Sequence, residues 1–343
     1  MTPCRYRLGF AVKVLGAGGR KSADTRRWQN EPHLSRSLQL LEGVFDYLEE
    51  NGIRMYRLSS ATVPYGTHPE LPAFDFRRQI SACAKEVAAL GARAGRAGLR
   101  LSTHPGQYTV LSAPDPELVR RSSLDLEQDA LLLDTMGMGP EAVVVVHVGG
   151  AYGDASAALE RWARAYEALS ARTRRRLVVE NDERSFAIDD LVALHRRTGV
   201  PVVFDVHHHR LNARLDGLAD PVDALAAAYA TWPAGVRPKA HLSSPRTELR
   251  VVRRRGAGGR KAEEVLAPPL LEQHADFVPP WDLSALVRSA PGPLDVMLEA
   301  KAKDLALLAL RGHVARLDPE VARAEERADI PADEIPLAAP AGL

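Results

Sequence analysis

The stretch from Ala142 to His209 reads AVVVVHVGGAYGDASAALERWARAYEALSARTRRRLVVENDERSFAIDDLVALHRRTGVPVVFDVHHH, and it decides the fold. Three short β-branched runs, Val143–Val148, Leu177–Glu180 and Pro201–Asp205, alternate with two Ala-, Leu-, Arg- and Glu-rich stretches, Ala155–Thr173 and Ala187–Thr198. Apolar residues in those stretches recur at three- and four-residue steps, the period of a helix with one buried face. Runs that are apolar on both faces and separated by helices are strands of a parallel sheet.

The same rhythm extends outward. Further strands are predicted at Arg7–Val12, Arg54–Leu58, Leu99–Thr103, Lys239–Ser243 and Asp295–Ala300, with helices at Leu34–Asn51, Phe76–Ala97, Glu117–Met136 and Pro221–Thr231. Eight strands alternating with helices predict an α/β fold, a single-domain (β/α)8 TIM barrel over residues 1–315; an open doubly wound sheet is the alternative. Two regions fall outside the rhythm. The basic segment 246–273, with RVVRRRGAGGRK at its centre, is expected to be a mobile loop facing a polyanion or a solvated insertion. The tail 316–343, rich in Ala, Glu and Pro, is expected to be a helix that fades into disorder.

Composition narrows the class. The 343 residues carry 45 Lys+Arg against 44 Asp+Glu, with 45% hydrophobic residues, enough for a large core. Cys4 and Cys83 are too few and too far apart for a disulfide framework, which suits a reducing compartment. The chain has no apolar run long enough to span a bilayer, and its start, MTPCRYRLGF, lacks a secretory apolar core; a cytoplasmic protein without membrane contact is predicted. A net charge of +1 gives no global signal for nucleic acid.

The chemistry lies at the strand ends. The third strand ends at His104, the fourth carries His147, and the fifth ends at Glu180. The sixth ends at Asp205 with His208 just beyond, the seventh carries His241, and the eighth ends at Glu299. In a closed barrel these ends converge on one face. Any one of these residues alone has an ordinary structural reading, such as a helix cap for Asp205. Together they would bury many ionisable groups at one place, which is costly unless a cation compensates them. Mixed imidazole and carboxylate ligands without thiolate suit Mn²⁺, Fe²⁺, Zn²⁺ or Co²⁺. The ligands exceed the needs of one ion, so two or three ions sharing carboxylates are expected, an arrangement suited to phosphoester hydrolysis. Lys239 lies two residues before His241 and so faces the same side. It is neutral, modified to an anionic carbamate, paired with a substrate phosphate, or neutralised by a neighbouring carboxylate. Lys301 stands in the same relation to Glu299.

With these motifs assembled, the chain resembles the UV damage endonuclease family. The resemblance rests on RLGF (Arg7–Phe10), RLSSATVPYGTHPE (Arg57–Glu70), HPGQY (His104–Tyr108), HVGGAYG (His147–Gly153) and ENDE (Glu180–Glu183). It continues through FDVHHH (Phe204–His209), PKAHLSSP (Pro238–Pro245), HADFV (His274–Val278) and MLEAKAKD (Met297–Asp304). These motifs are collinear from about residue 7 to 310. The resemblance implies a monomeric TIM-barrel endonuclease with up to three divalent ions, Mn²⁺ favoured. Its activity would be nicking of UV-damaged double-stranded DNA immediately 5′ of cyclobutane pyrimidine dimers or 6-4 photoproducts. The implied metal ligands are His104, His147, Glu180, Asp205, His208, His241, His274 and Glu299; His274 is picked out by the resemblance alone. It further implies a carboxylated Lys239, His68 near the scissile phosphate, and Gln107 and Tyr108 probing the duplex. Phe10 would stand near the lesion, where some relatives carry tyrosine. Lys239, Lys301 and Arg184 are expected to face phosphates. The alternatives on the same kind of barrel are an abasic-site endonuclease and a sugar isomerase or epimerase. A non-catalytic DNA-binding or metal-storage protein fits less well, because unoccupied buried carboxylates would repel DNA.

Overall fold

Eight parallel strands close on themselves in a computed structural model that describes residues 1–16, 18–254 and 263–327. In chain order the strands are β1 (Tyr6–Ala11), β2 (Met55–Arg57), β3 (Arg100–Thr103), β4 (Val143–His147), β5 (Leu177–Glu180), β6 (Val202–Asp205), β7 (Lys239–Leu242), β8 (Arg250–Arg254), β9 (Glu263–Ala267) and β10 (Leu294–Leu298). The barrel runs β1-β10-β7-β6-β5-β4-β3-β2, and β8 and β9 form a separate two-stranded ribbon. The closed barrel is thus the observed fold, and an open sheet is excluded. No described helix is long and apolar enough to cross a membrane.

Strand parity sorts the side chains. Outward-facing Leu8, Phe10, Leu101, Val144, Val179, Phe204 and Leu242 join the helices in the main core. The lumen holds two smaller apolar clusters, one of Val143, Val145, Val178, Val203 and Trp232, the other of Ala11, Met55 and Met297. Below them, at the N-terminal end, Asp295 accepts hydrogen bonds from Arg7 (2.9 and 2.7 Å) and Arg100 (2.7 Å). One more step along each strand brings the polar residues at the C-terminal end to the same axis: Met55 to Arg57, Val145 to His147, Val178 to Glu180, Val203 to Asp205, and Met297 to Glu299. The lumen is therefore polar at both ends, with apolar clusters between them.

Several regions refine or differ from the sequence expectation. The segment 246–273 is not a loop: β8 and β9 pair antiparallel, with Val251 opposite Leu266 and Arg253 opposite Glu264. Alternating residues on both arms and cross-strand pairs such as Arg253–Glu264 (3.0 Å) make a hairpin of what composition marks as a solvated basic run. Residues 255–262 lie outside the described ones. The expected helix Ala155–Thr173 is two, Ala155–Ala168 and Ala171–Arg176. Ser170 causes the break: its hydroxyl accepts the Thr173 amide at 3.1 Å and caps a new helix. Phe76–Ala97 likewise divides at Cys83. After the last barrel helix, Lys303–Leu317, the chain adds a helix at Pro319–Ala324, and Glu325 pairs beside Tyr6 and binds Arg311 at 2.5 Å. Residues 328–343, expected to be disordered, lie outside the described residues.

Candidate metal centre

Glu180 occupies the centre of the polar end of the barrel and is fully buried. Its Oε1 lies 2.9 Å from His241 Nδ1 and 3.5 Å from His208 Nδ1, and its Oε2 lies 3.1 Å from His104 Nε2 and 3.7 Å from His147 Nε2. Four imidazoles thus converge on one carboxylate. Glu299 approaches from the adjoining strand, 3.3 Å from His241 Nδ1, and pairs with Arg57. His274, on a segment that pairs with Pro245, stands 4.0 Å from Glu299.

The positions of Asp205 and His208 follow from local structure. Asp205 ends β6 and caps the helix Val206–Asn212, its Oδ1 accepting the His208 amide at 2.7 Å. The cap uses one carboxylate oxygen and leaves Oδ2 over the site. Asn181, next to Glu180, holds this turn: its side chain binds the Asp205 amide (2.8 Å) and carbonyl (3.1 Å), and its own carbonyl lies 3.0 Å from His208 Nδ1. His208 Nε2 is thereby directed outward, 4.0 Å from Glu183. His104 Nδ1 in turn lies 3.0 Å from the Pro105 carbonyl, which leaves Nε2 facing Glu180. Such fixing of one ring nitrogen by a backbone carbonyl is how ligand histidines are oriented.

Two groups of potential ligand atoms each lie within 4.8 Å of one another: His104, His147 and Glu180, and Glu180, Asp205, His241 and Glu299. Among the described residues, several buried polar atoms of this set and of His274 have no partner: Asp205 Oδ2, His274 Nδ1, and the ring nitrogens of His241 (Nε2) and His147 (Nδ1) opposite those that face Glu180. Buried acceptors are rarely left so, and carboxylate and imidazole ligand atoms gathered within 4.8 Å of one another are what a divalent cation satisfies. The residues present fit a divalent metal.

The electrostatics agree. Burial pushes Asp205 up to about 8, with Glu180 and Glu299 adding to the rise. Burial works against charge on His208, yet Asp205 and Glu180 outweigh it and raise its pKa to about 11. Burial lowers His241 to about 4, and it also holds His104 and His274 below the ordinary imidazole value. Burial opposes ionisation of Glu299, but Arg57 overrides it and keeps Glu299 well below the usual carboxylate range. Asp205 and His208 lie 3.7 Å apart, so in the absence of an ion the pair keeps a proton that a cation must displace. Ion uptake must expel it, so Mn²⁺ affinity is expected to rise as pH rises through about 8, with proton release. Calorimetry in buffers of different ionisation enthalpy checks this; an affinity independent of pH would remove these two residues from the ligand set.

Lys239 lies deeper in the lumen, fully buried, its Nζ donating to Ser102 Oγ at 3.0 Å. Burial, with Arg57 and Arg100 nearby, lowers its pKa well below the ordinary lysine value.

The remaining predicted residues surround this centre. Gln107 and Tyr108 lie on the loop after His104, and Tyr108 is 79% exposed. They line a cleft of about 400 Å³ that His104, His147 and Glu183 also line. His68 is exposed in a neighbouring cleft shared with Tyr108. Among the described residues no hydrogen bond or ion pair joins it to the cluster. Lys301 reaches Gln273 at 3.3 Å, beside the His274 segment. Arg184 is exposed but pairs with Glu272 and Glu183. Phe10 is a correction: its parity on β1 turns it away from the lumen, and its ring is wholly buried edge-on to Tyr56 (5.5 Å). It is a core residue and touches no exposed surface. Three site residues escaped the sequence reading: Arg57, Asn181 and Glu183. Parity with Met55 marks Arg57 as inward-facing, but a search for anionic and imidazole ligands passes over a cation.

The model of the UV-endonuclease UvdE family matches residues 31–326. A UV DNA damage endonuclease of Bacillus pumilus (strain SAFR-032) is 36% identical over 324 residues, covering 89% of this chain and 93% of the relative. One of Bacillus velezensis is 32% identical over 319 residues, covering 89% and 92%. The crystal structure of SacUVDE is similar at a TM-score of 0.72 and 26% identity, over 91% of this chain and 98% of that one. The 3-keto-D-glucoside 4-epimerase YcjR of E. coli shares the fold alone, at 11% identity and a TM-score of 0.50. With the family match spanning most of its length around a built site of carboxylates and imidazoles, the chain belongs to the UV-endonuclease UvdE family and is an enzyme of the endonuclease class.

Proposed function

We propose that the protein nicks duplex DNA immediately 5′ of cyclobutane pyrimidine dimers and 6-4 photoproducts by hydrolysing a phosphodiester at a centre of three divalent ions, Mn²⁺ favoured. The observation that carries this reading is the buried convergence of Glu180, Asp205, His241 and Glu299, with Asp205 Oδ2 and His241 Nε2 unpartnered. His104, His147, His208 and His274 complete the proposed ligand set around it. Ions bound there supply the Lewis acidity that activates water and neutralises charge on the phosphate. Arg57 keeps Glu299 ionised and adds positive charge at the floor of the site. Asn181 holds Asp205 and His208 at one spacing, so two proposed ligands move as a unit.

Lys239 as a neutral amine is the form that adds carbon dioxide, giving a carbamate and releasing a proton. Arg57 and Arg100, which depress its pKa, would then stabilise the carbamate's negative charge. His68, Lys301 and Arg184 stand around the opening, where a DNA strand would pass. Gln107 and Tyr108 supply a polar and an aromatic side chain at the mouth of the cleft, suited to enter a stack already weakened by a lesion.

Replacing both Gln107 and Tyr108 with alanine is therefore expected to lower the preference for damaged over undamaged duplex by about tenfold or more, while bound metal stays at the wild-type level. Parallel loss of metal would remove the loop from lesion recognition. The reaction itself is tested by its ends: the nick should carry a 3′-hydroxyl that a polymerase extends and a 5′-phosphate. A blocked 3′ end would point to elimination chemistry in place of hydrolysis.

A further inference from the structure

The helix Pro116–Thr135 is started by Asp115, whose carboxylate accepts the Glu117 amide at 2.9 Å, and by Pro116 in its first turn. It contributes nothing to the metal centre, yet one of its faces carries polar residues at three-residue steps: Ser122, Asp125 and Gln128. That spacing stacks side chains on one side of a helix. Two loops rest on this stripe. The Ser122 hydroxyl accepts the Val110 amide at 2.9 Å, beneath the Gln107–Tyr108 loop. Gln128 Oε1 abuts Gly66 in the other loop, so closely that an added Cβ there would sit 2.0 Å from it. Asp125, between them, binds both: Oδ1 accepts from the Thr67 hydroxyl at 2.6 Å and Oδ2 from the Thr109 hydroxyl at 3.1 Å. Thr67 precedes His68, and Thr109 follows Tyr108. Both loops also line the one cleft that Asp125 floors.

We infer that Asp125 is a positioning residue that clamps the His68 loop to the Gln107–Tyr108 loop and so sets the width of the lesion-reading opening. The inference rests on the DNA-repair reading above. A carboxylate has two acceptor oxygens and here spends one on each loop, so breaking either bond removes the link that joins the two loops through a single side chain. The clamp touches neither the proposed metal ligands nor the proposed probe side chains, and it acts only through the two threonines.

The clamp predicts an unusual mutational pattern. Asp125→Ala should lower the ratio of kcat/KM on a dimer-containing duplex to that on undamaged duplex by about tenfold. The loss should fall on KM, with metal content and kcat unchanged. Thr67→Val and Thr109→Val, which keep side-chain volume, should each show most of that loss. Neither should add to it in the Asp125→Ala background or to the other, because a clamp opens at either end. Asp125→Asn, which keeps one acceptor oxygen, should fall between. Additive threonine effects, unchanged selectivity, or metal loss in step with selectivity would each overturn the clamp. Hydrogen exchange provides a readout independent of activity: Asp125→Ala should speed amide exchange in both loops together, and acceleration in one loop only would overturn it. Should wild type nick no duplex, the functional reading fails, while the exchange experiment still decides the clamp.

Discussion

Glu180→Gln is expected to lower nicking by on the order of 10³-fold while leaving the barrel folded. Glutamine has nearly the same volume, so neither the lumen nor β5 is disturbed. What disappears is the negative charge that His241, His104, His208 and His147 share within 2.9 to 3.7 Å. In both clusters of potential ligand atoms Glu180 is the common member, so its loss weakens each of them at once. Bound metal, measured by elemental analysis of the purified protein, should fall with activity, and far-UV circular dichroism should not change. Full activity in this variant would remove Glu180 from the centre. Glu299→Gln should act in the same direction, with the added cost that Arg57 loses its counter-charge.

Asp295→Ala should produce the largest loss of stability, about 3–5 kcal/mol, with the metal centre intact in the molecules that stay folded. Asp295 and Arg100 are both wholly buried and 2.7 Å apart, and Arg7 donates twice to the same carboxylate. Removing Asp295 leaves the buried Arg100 without its carboxylate partner and Arg7 with only the partly exposed Glu141, 2.8 Å away. Burial works against the Asp295 charge, but Arg100 and Arg7 outweigh it, and the folded pKa lies below the ordinary carboxyl value. The sign follows: its stabilisation is present above the unfolded carboxyl pKa of about 4 and is lost as pH falls through the lower folded value. Denaturant unfolding near neutral pH and again at acid pH measures this. Equal stability of variant and wild type near neutral pH would contradict it. Together the two substitutions separate the ends of the barrel, since the N-terminal end holds the fold together and the C-terminal end carries the chemistry.

The barrel was legible because its strands are buried on both faces and bounded by helical stretches. The Leu177–Glu180 strand is where its sequence pattern places it, and the others differ from expectation by a residue or two. Their place at the C-terminal ends of barrel strands is enough to bring Glu180, Asp205, His241 and Glu299 to one face. What was not legible depends on contacts remote in sequence. His274 reaches the site through its bridge to Pro245 across the β8–β9 ribbon, and no local pattern announces that return. Arg57 becomes part of the site only through Glu299, 242 residues away. The ribbon was hidden because its paired charges look, one arm at a time, like a solvated run. Phe10 keeps a motif position of the family, but the parity of β1 turns its ring into the core against Tyr56.

The central claim is most directly tested by incubating the protein with three end-labelled duplexes, one carrying a single cyclobutane dimer, one an abasic site and one undamaged, each with Mn²⁺ and with EDTA. The account predicts a Mn²⁺-dependent cut immediately 5′ of the dimer, absent from undamaged duplex and abolished by EDTA. Cutting chiefly at the abasic site, or cutting that survives EDTA, would contradict it.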